Sequence, residues 1–119
     1  MPCATITITD HTATAVDLFR LLGKGSATGY TVSPSTGLAP TTFIGCVAYL
    51  SIQSDPKNAS AKVFKGDENT ANDGTRQGKT MLAGDVDVAQ SNPYTTHLGE
   101  IYLRTDTDNT VINVEVHYA

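Results

Sequence analysis

The 119-residue chain carries only eight lysines and arginines for a formal charge of −4, and they form neither a run nor a periodic stripe. Nucleic-acid binding rests on a clustered cationic footprint that neutralises phosphates, so DNA and RNA are not expected partners. No apolar stretch approaches the length of a membrane helix, and Met1 to Thr9 holds no basic segment followed by an apolar core. A soluble protein made without a secretory signal is expected, with no membrane partner. There are two cysteines, Cys3 and Cys46, which in such a chain are expected to stay reduced. Residues that build helices, Leu, Glu, Lys and Arg, are sparse, whereas Thr is abundant with Val, Ile and Tyr in support. That balance favours pleated, half-buried strands.

Sites of chemistry are lacking as well. His11, His97 and His117 lie far apart, none at metal-ligand spacing. No Gly-x-Ser-x-Gly elbow occurs, and Cys46 lies in the most apolar stretch, where a thiol is inert. Asp73 to Thr80 ends like a phosphate-binding loop, but Asp73 occupies the place of the first glycine, so a polar loop is the better reading. Asp85-Val86-Asp87 and Asp106-Thr107-Asp108-Asn109 gather carboxylates a Ca²⁺ ion could use, yet neither has the glycine and distal Glu of a helix-loop-helix site. No catalytic residue, metal or cofactor is expected.

What is present is an ordered set of short strands. Thr5-Ile6-Thr7-Ile8-Thr9 alternates polar and apolar residues, the mark of a strand with one wet face. Asp10, Thr12 and Thr14 offer N-cap oxygens to a short helix over 15–22, with Gly23 as its stop. Residues 23–42 are rich in Gly, Pro, Ser and Thr, and form a long loop around one short strand, Tyr30-Thr31-Val32. Residues 43–53 read as a central strand in which Gly45 marks a bulge or a close backbone approach, and 61–66 as another. Residues 67–79 form a polar excursion, the best candidate for disorder. An Ala-Gly-Asp turn at 83–85 leads to a strand with Val86 and Val88 inward, and 98–105 and 110–118 form a closing β-hairpin with Val114, Val116 and Tyr118 on one side. The spacing predicts one all-β domain over 1–119, an antiparallel two-sheet sandwich, jelly-roll-like or Ig-like, with one short N-terminal helix and extended loops at 23–42 and 67–79.

The succession Ala61-Lys62-Val63-Phe64-Lys65-Gly66, Gly78-Lys79-Thr80-Met81-Leu82-Ala83-Gly84-Asp85, 98–105 and 110–116 resembles small β-sandwich virion proteins of tailed bacteriophages. There, a strand ending in glycine leads to a Gly-Asp turn, an Ile-Tyr-Leu-Arg type strand and a closing valine-rich strand. The resemblance spans about half of the chain and transfers no catalytic residue. It implies a virion structural protein, most simply a decoration (cement) protein that binds and stabilises the phage head. The implied partner is the major capsid protein, with self-association as a trimer. The protein would be made in the host cytoplasm and lie on the capsid surface. Extended arms and strand edges would supply the contacts, with Tyr30, Thr36, Leu38, Arg76 and Tyr94 as candidate interface residues. The competing reading is a carbohydrate-binding or host-adhesion module, with tyrosines stacking on sugars.

Overall fold

The computed structural model describes residues 3–38, 46–90 and 96–118, with only the backbone of Cys46 and Tyr118. It is mostly β, with two antiparallel sheets and one helix. Strands β1 (Cys3–Ile8), β2 (Tyr30–Ser33), β3 (Cys46–Ser54), β6 (Val86–Gln90) and β9 (Thr110–Tyr118) form the larger sheet in the order β2-β1-β9-β3-β6. The two residues of β7 (Thr96–His97) extend the same edge of β3 beyond β6. Strands β4 (Val63–Gly66), β5 (Lys79–Met81) and β8 (Tyr102–Thr105) form the smaller sheet in the order β5-β4-β8.

Alternation sets the core. In the larger sheet, Val32 pairs with Ile6 and Ile6 with Ile112, while Ala4 pairs with Val114 and Val114 with Ile52. All of these are buried, as are Leu50 and Val116. The smaller sheet meets them with Val63, Met81 and Leu103. The layer is completed by α1 (Leu18–Lys24), which buries Leu18, Leu21 and Leu22, and by a 3₁₀ turn, Leu98–Glu100, which buries Leu98. Asp17, not Asp10, Thr12 or Thr14, caps the helix by accepting from Arg20 N, so it starts three residues later than expected, and Gly25 ends it, two residues beyond the expected stop. Starting at Leu18 turns three leucines to the core, which a start at Ala15 would not require.

The central position of β3 agrees with its apolar sequence; its register shift falls between Val47 and Tyr49, while Gly45 lies outside the described residues. The closing hairpin does not exist. β8 pairs with β4 and β9 pairs with β1 and β3, so 106–109 is an arch that crosses from one sheet to the other. Both flanking strands have one buried row, Leu103 and Thr105 against Thr110 and Ile112, and facing sheets can bury both rows where a flat hairpin would not. The Thr105 and Thr110 hydroxyls, both buried, lie 2.9 Å apart, and Thr110 Oγ1 donates to Thr107 O. Asn109 takes the left-handed conformation at φ 61°, which asparagine tolerates.

Two segments expected to be loose are folded as far as they are described, 23–38 and 67–79. Leu38 N donates to Leu22 O, and Arg20 donates to the carbonyls of Gly25 and Ser26, which closes residues 23–38 onto the end of the helix. The excursion after β4 bends back over Phe64. Gly74 lies so close to that ring that a Cβ there would approach it at 3.1 Å, and Thr70 is buried. Its own turns hold it: Thr75 donates to Asp73, Arg76 Nε to Asn69 O and Ala71 N to Thr75 O. Polar composition thus signalled turns that satisfy one another, not disorder.

Candidate functional site

The two flanks of the sandwich are treated differently. On one, the edge of β8 is covered because Leu18 N donates to Ile101 O and Asp17 bridges Tyr102. The edge of β2 beside it is covered by its own hairpin: Ala27 and Tyr30 exchange hydrogen bonds, and Val32 N donates to Ser26 Oγ. On the other flank, β5 and β6 each have one strand neighbour, and among the described residues their outer edges meet no strand. The turn at 82–85 joins them, closed by Asp85 N to Leu82 O and by Leu82 N to the Asp85 carboxylate. Proteins ordinarily blunt such edges, since exposed N–H and C=O groups template pairing with another chain.

This open flank also carries the large apolar side chains exposed among the described residues. Leu82 is 53% exposed, Val86 46% and Val88 52%. Val86 and Val88 were expected to point inward and do the opposite. Their partners decide it: Gln53 faces Val86 and Ser51 faces Val88 on the outer side of the sheet, while Leu50 and Ile52 point into the core. A one-residue change of face reverses every side chain of a strand, and Gly-Asp-Val-Asp-Val reads equally well both ways. The inward place falls to Asp87, because Lys65 and Lys79 of the smaller sheet pair with its carboxylate across the gap between sheets. Burial pushes that carboxyl up, but hydrogen bonds and charge from Lys65 and Lys79 outweigh it and hold it below the usual range. Asp85 is engaged in its own turn, so the Asp85/Asp87 pair does not converge on a cation.

The four candidate interface residues that are described do not come together. Tyr30 is corrected to a core residue, 2% exposed, its hydroxyl donating to Leu103 O. It sits on the inward row of β2, so an aromatic ring there fills the interior. Leu38 is half-buried against the core, Thr36 is exposed at a turn, and Arg76 is exposed on the excursion. Tyr94 lies outside the described residues. Tyr102 is half-buried beside the helix cap.

Histidines also found partners that spacing could not reveal. His11 N donates to Asp108 Oδ1 at 2.9 Å, and its ring Nδ1 lies 2.6 Å from the same oxygen, with Asp10 close by. The three groups tie the connection after β1 to the arch, and Asn72 Nδ2 donates to His11 O from the excursion. The oxygen nearest a ligating position is occupied by both His11 contacts, and the cluster is largely exposed. His97 accepts from Gly99 N, and His117 meets the edge of Tyr49.

Five carboxyls respond alike to these contacts. The Thr12 hydroxyl holds Asp10 low, the Lys57 N–H holds Asp55, the Thr75 hydroxyl holds Asp73 and the His11 ring holds Asp108, with Asp87 as above. Each is depressed in the folded chain, so between its folded and ordinary values the unfolded chain binds more protons. Their stabilisation is present above about pH 4 and is lost as pH falls below it. The urea midpoint should hold from pH 7 to pH 5 and drop at pH 3; an unchanged midpoint at pH 3 would contradict these contacts.

Family models, curated proteins and solved structures yield no match to this chain. Its function must therefore be read from its own surface. Across the outer face of the larger sheet runs an open groove of about 350 Å³ lined by Thr5, Ser33, Ser51, Gln53, Asn113 and Glu115 among others. Its lining has no aromatic ring, the element a sugar-stacking platform requires. No helix among the described residues is long and apolar enough to cross a membrane.

Proposed function

We propose that this protein is a non-enzymatic structural module of a virus particle, most simply a decoration protein that binds the major capsid protein of a phage head. The observation that carries the reading is the asymmetry of the sandwich. Among the described residues, one flank has both sheet edges covered, and the other leaves β5 and β6 open and lines them with Leu82, Val86 and Val88. A partner strand added to such an edge gains main-chain hydrogen bonds, and the alternate valines provide the apolar contact. The ordered resemblance of the C-terminal half to phage virion proteins supplies the setting, and both strands of the open flank belong to that half.

The contacts therefore come from a strand edge and its turn, not from the arms at 23–42 and 67–79, whose described residues fold onto the domain. Sedimentation with heads lacking the protein tests this. The wild-type chain should sediment with heads. Val86→Lys/Val88→Lys, which changes two exposed side chains, should keep its thermal midpoint and bind on the order of tenfold or more weakly, because a lysine placed in an apolar contact must be desolvated. Equal binding by the double variant would overturn the reading.

A further inference from the structure

We propose that the β6 edge of the open flank is occupied by a second copy of this chain, with the two β6 strands pairing antiparallel about a two-fold axis at Val88. This rests on the reading of the flank as an interaction surface, and leaves the β5 edge and Leu82, beside the joint, to the capsid protein. The argument is one of closure. A ring of three copies built by edge pairing needs two different open edges facing in different directions, since each copy must meet one neighbour with one patch and the next with another. The edges of β2 and β8 are already engaged by Ser26–Ala27 and by Asp17–Leu18. The open ones, β5 and β6, stand on a single flank, joined by the 82–85 turn and by Lys79 on Asp87. A single patch that meets its own copy closes as a two-fold dimer. This places self-association in a dimer instead of the trimer expected from the phage resemblance.

The sequence of β6, Val86-Asp87-Val88-Ala89-Gln90, is compatible with facing itself. About Val88 as centre, Val88 meets Val88 of the second copy, Val86 meets Gln90, and Asp87 meets Ala89. Val86, Val88 and Gln90 share the outer face, so the apolar contact continues across the joint. Like charges directly opposite one another would oppose such a pairing. Here the strand's single charge lies opposite alanine and is compensated within its own chain by Lys65 and Lys79. Joining the edges would make one continuous sheet of two larger sheets, with β5 and Leu82 of each copy beside the joint.

Sedimentation equilibrium over a concentration series tests the proposal. The wild-type chain should pass from monomer to dimer, and Val88→Lys should remain monomeric at concentrations where the wild type is dimeric. Thr31→Lys, on the covered edge at β2, should dimerise as the wild type does. Because both positions are exposed, the thermal midpoints of the three chains should agree at concentrations low enough for all of them to be monomeric. Register is read by mild oxidation in a Cys3→Ser background: Val88→Cys should cross-link to itself, and Val86→Cys should cross-link to Gln90→Cys in a mixed sample, above the level of the background chain. A wild-type trimer, or a dimer indifferent to Val88→Lys, would overturn the proposal. A wild-type monomer whose head binding is still weakened by Val86→Lys/Val88→Lys would overturn the dimer while leaving the flank as the interaction surface. If that monomer binds heads equally with and without those substitutions, both fail.

Discussion

Replacing Ile112 by alanine should lower the unfolding free energy by about 2–5 kcal/mol, a large fraction of the roughly 5–15 kcal/mol that holds a domain of this size together. Ile112 is fully buried at the middle of the larger sheet, where it pairs with Ile6 on one side and Ser54 on the other. Its strand is hydrogen-bonded along both edges, so the backbone cannot collapse into the space left behind, and the cavity cost adds to the lost transfer energy. The neighbouring Val111→Ala should cost on the order of 1 kcal/mol, because Val111 is half-buried on the outer face and already in part wet. Urea denaturation of the two variants measures the difference. A loss at Ile112 no greater than that at Val111 would contradict the assignment of inward and outward rows on β9, and with it the two-sheet arrangement that the arch implies.

The second large effect is expected at Gly25. It closes the helix with φ 92° and ψ −147°, a region open in practice to glycine alone, and a Cβ there would lie 1.9 Å from Ser35 O. Strain of this kind costs on the order of 1–3 kcal/mol before any clash is relieved. The clash is with backbone, so the segment that follows β2 would have to move. Gly25→Ala should therefore destabilise the domain by about 2 kcal/mol or more, and should expose the contact between Leu38 N and Leu22 O. Faster amide exchange at Leu38 in the variant would show that the loop is held to the helix end. Unchanged stability and exchange would mean that the loop is an arm after all, as its composition suggested.

These two residues also show what was legible in the chain. Ile112 belongs to an unbroken alternation, and strict alternation over five or more residues specifies a face wherever one face is buried; β1 and β9 were readable for that reason. The Gly-Asp turn at 84–85 was readable because glycine at φ 87° has a local cause. The arch at 106–109 was not, since Asp, Thr and Asn serve equally well in a hairpin and in a crossing between sheets, and only long-range pairing of β8 with β4 distinguishes them. The faces of Val86 and Val88 were hidden for a related reason. In so short a run, apolar-inward and apolar-outward patterns are identical, and Lys65 and Lys79, distant in the chain before folding, decide in favour of Asp87. His11 and Asp108, 97 positions apart, met only through the fold.

The covered and open edges were invisible for a further reason. Whether an edge is blunted depends on which segment lies beside it, and Asp17–Leu18 against β8 leaves no periodic mark. Yet that contrast is what gives the surface a direction, and on the proposed reading the place of contact is a turn and a strand instead of loops and tyrosines.

Hydrogen exchange on phage heads carrying the protein, compared with the monomer, tests that placement most directly. Amides of residues 86–90 should exchange markedly more slowly in the bound state, with Lys79–Met81 following, while β2 and α1 keep their rates. Protection confined to β2, α1 or the excursion over Phe64, with β6 unchanged, would contradict it.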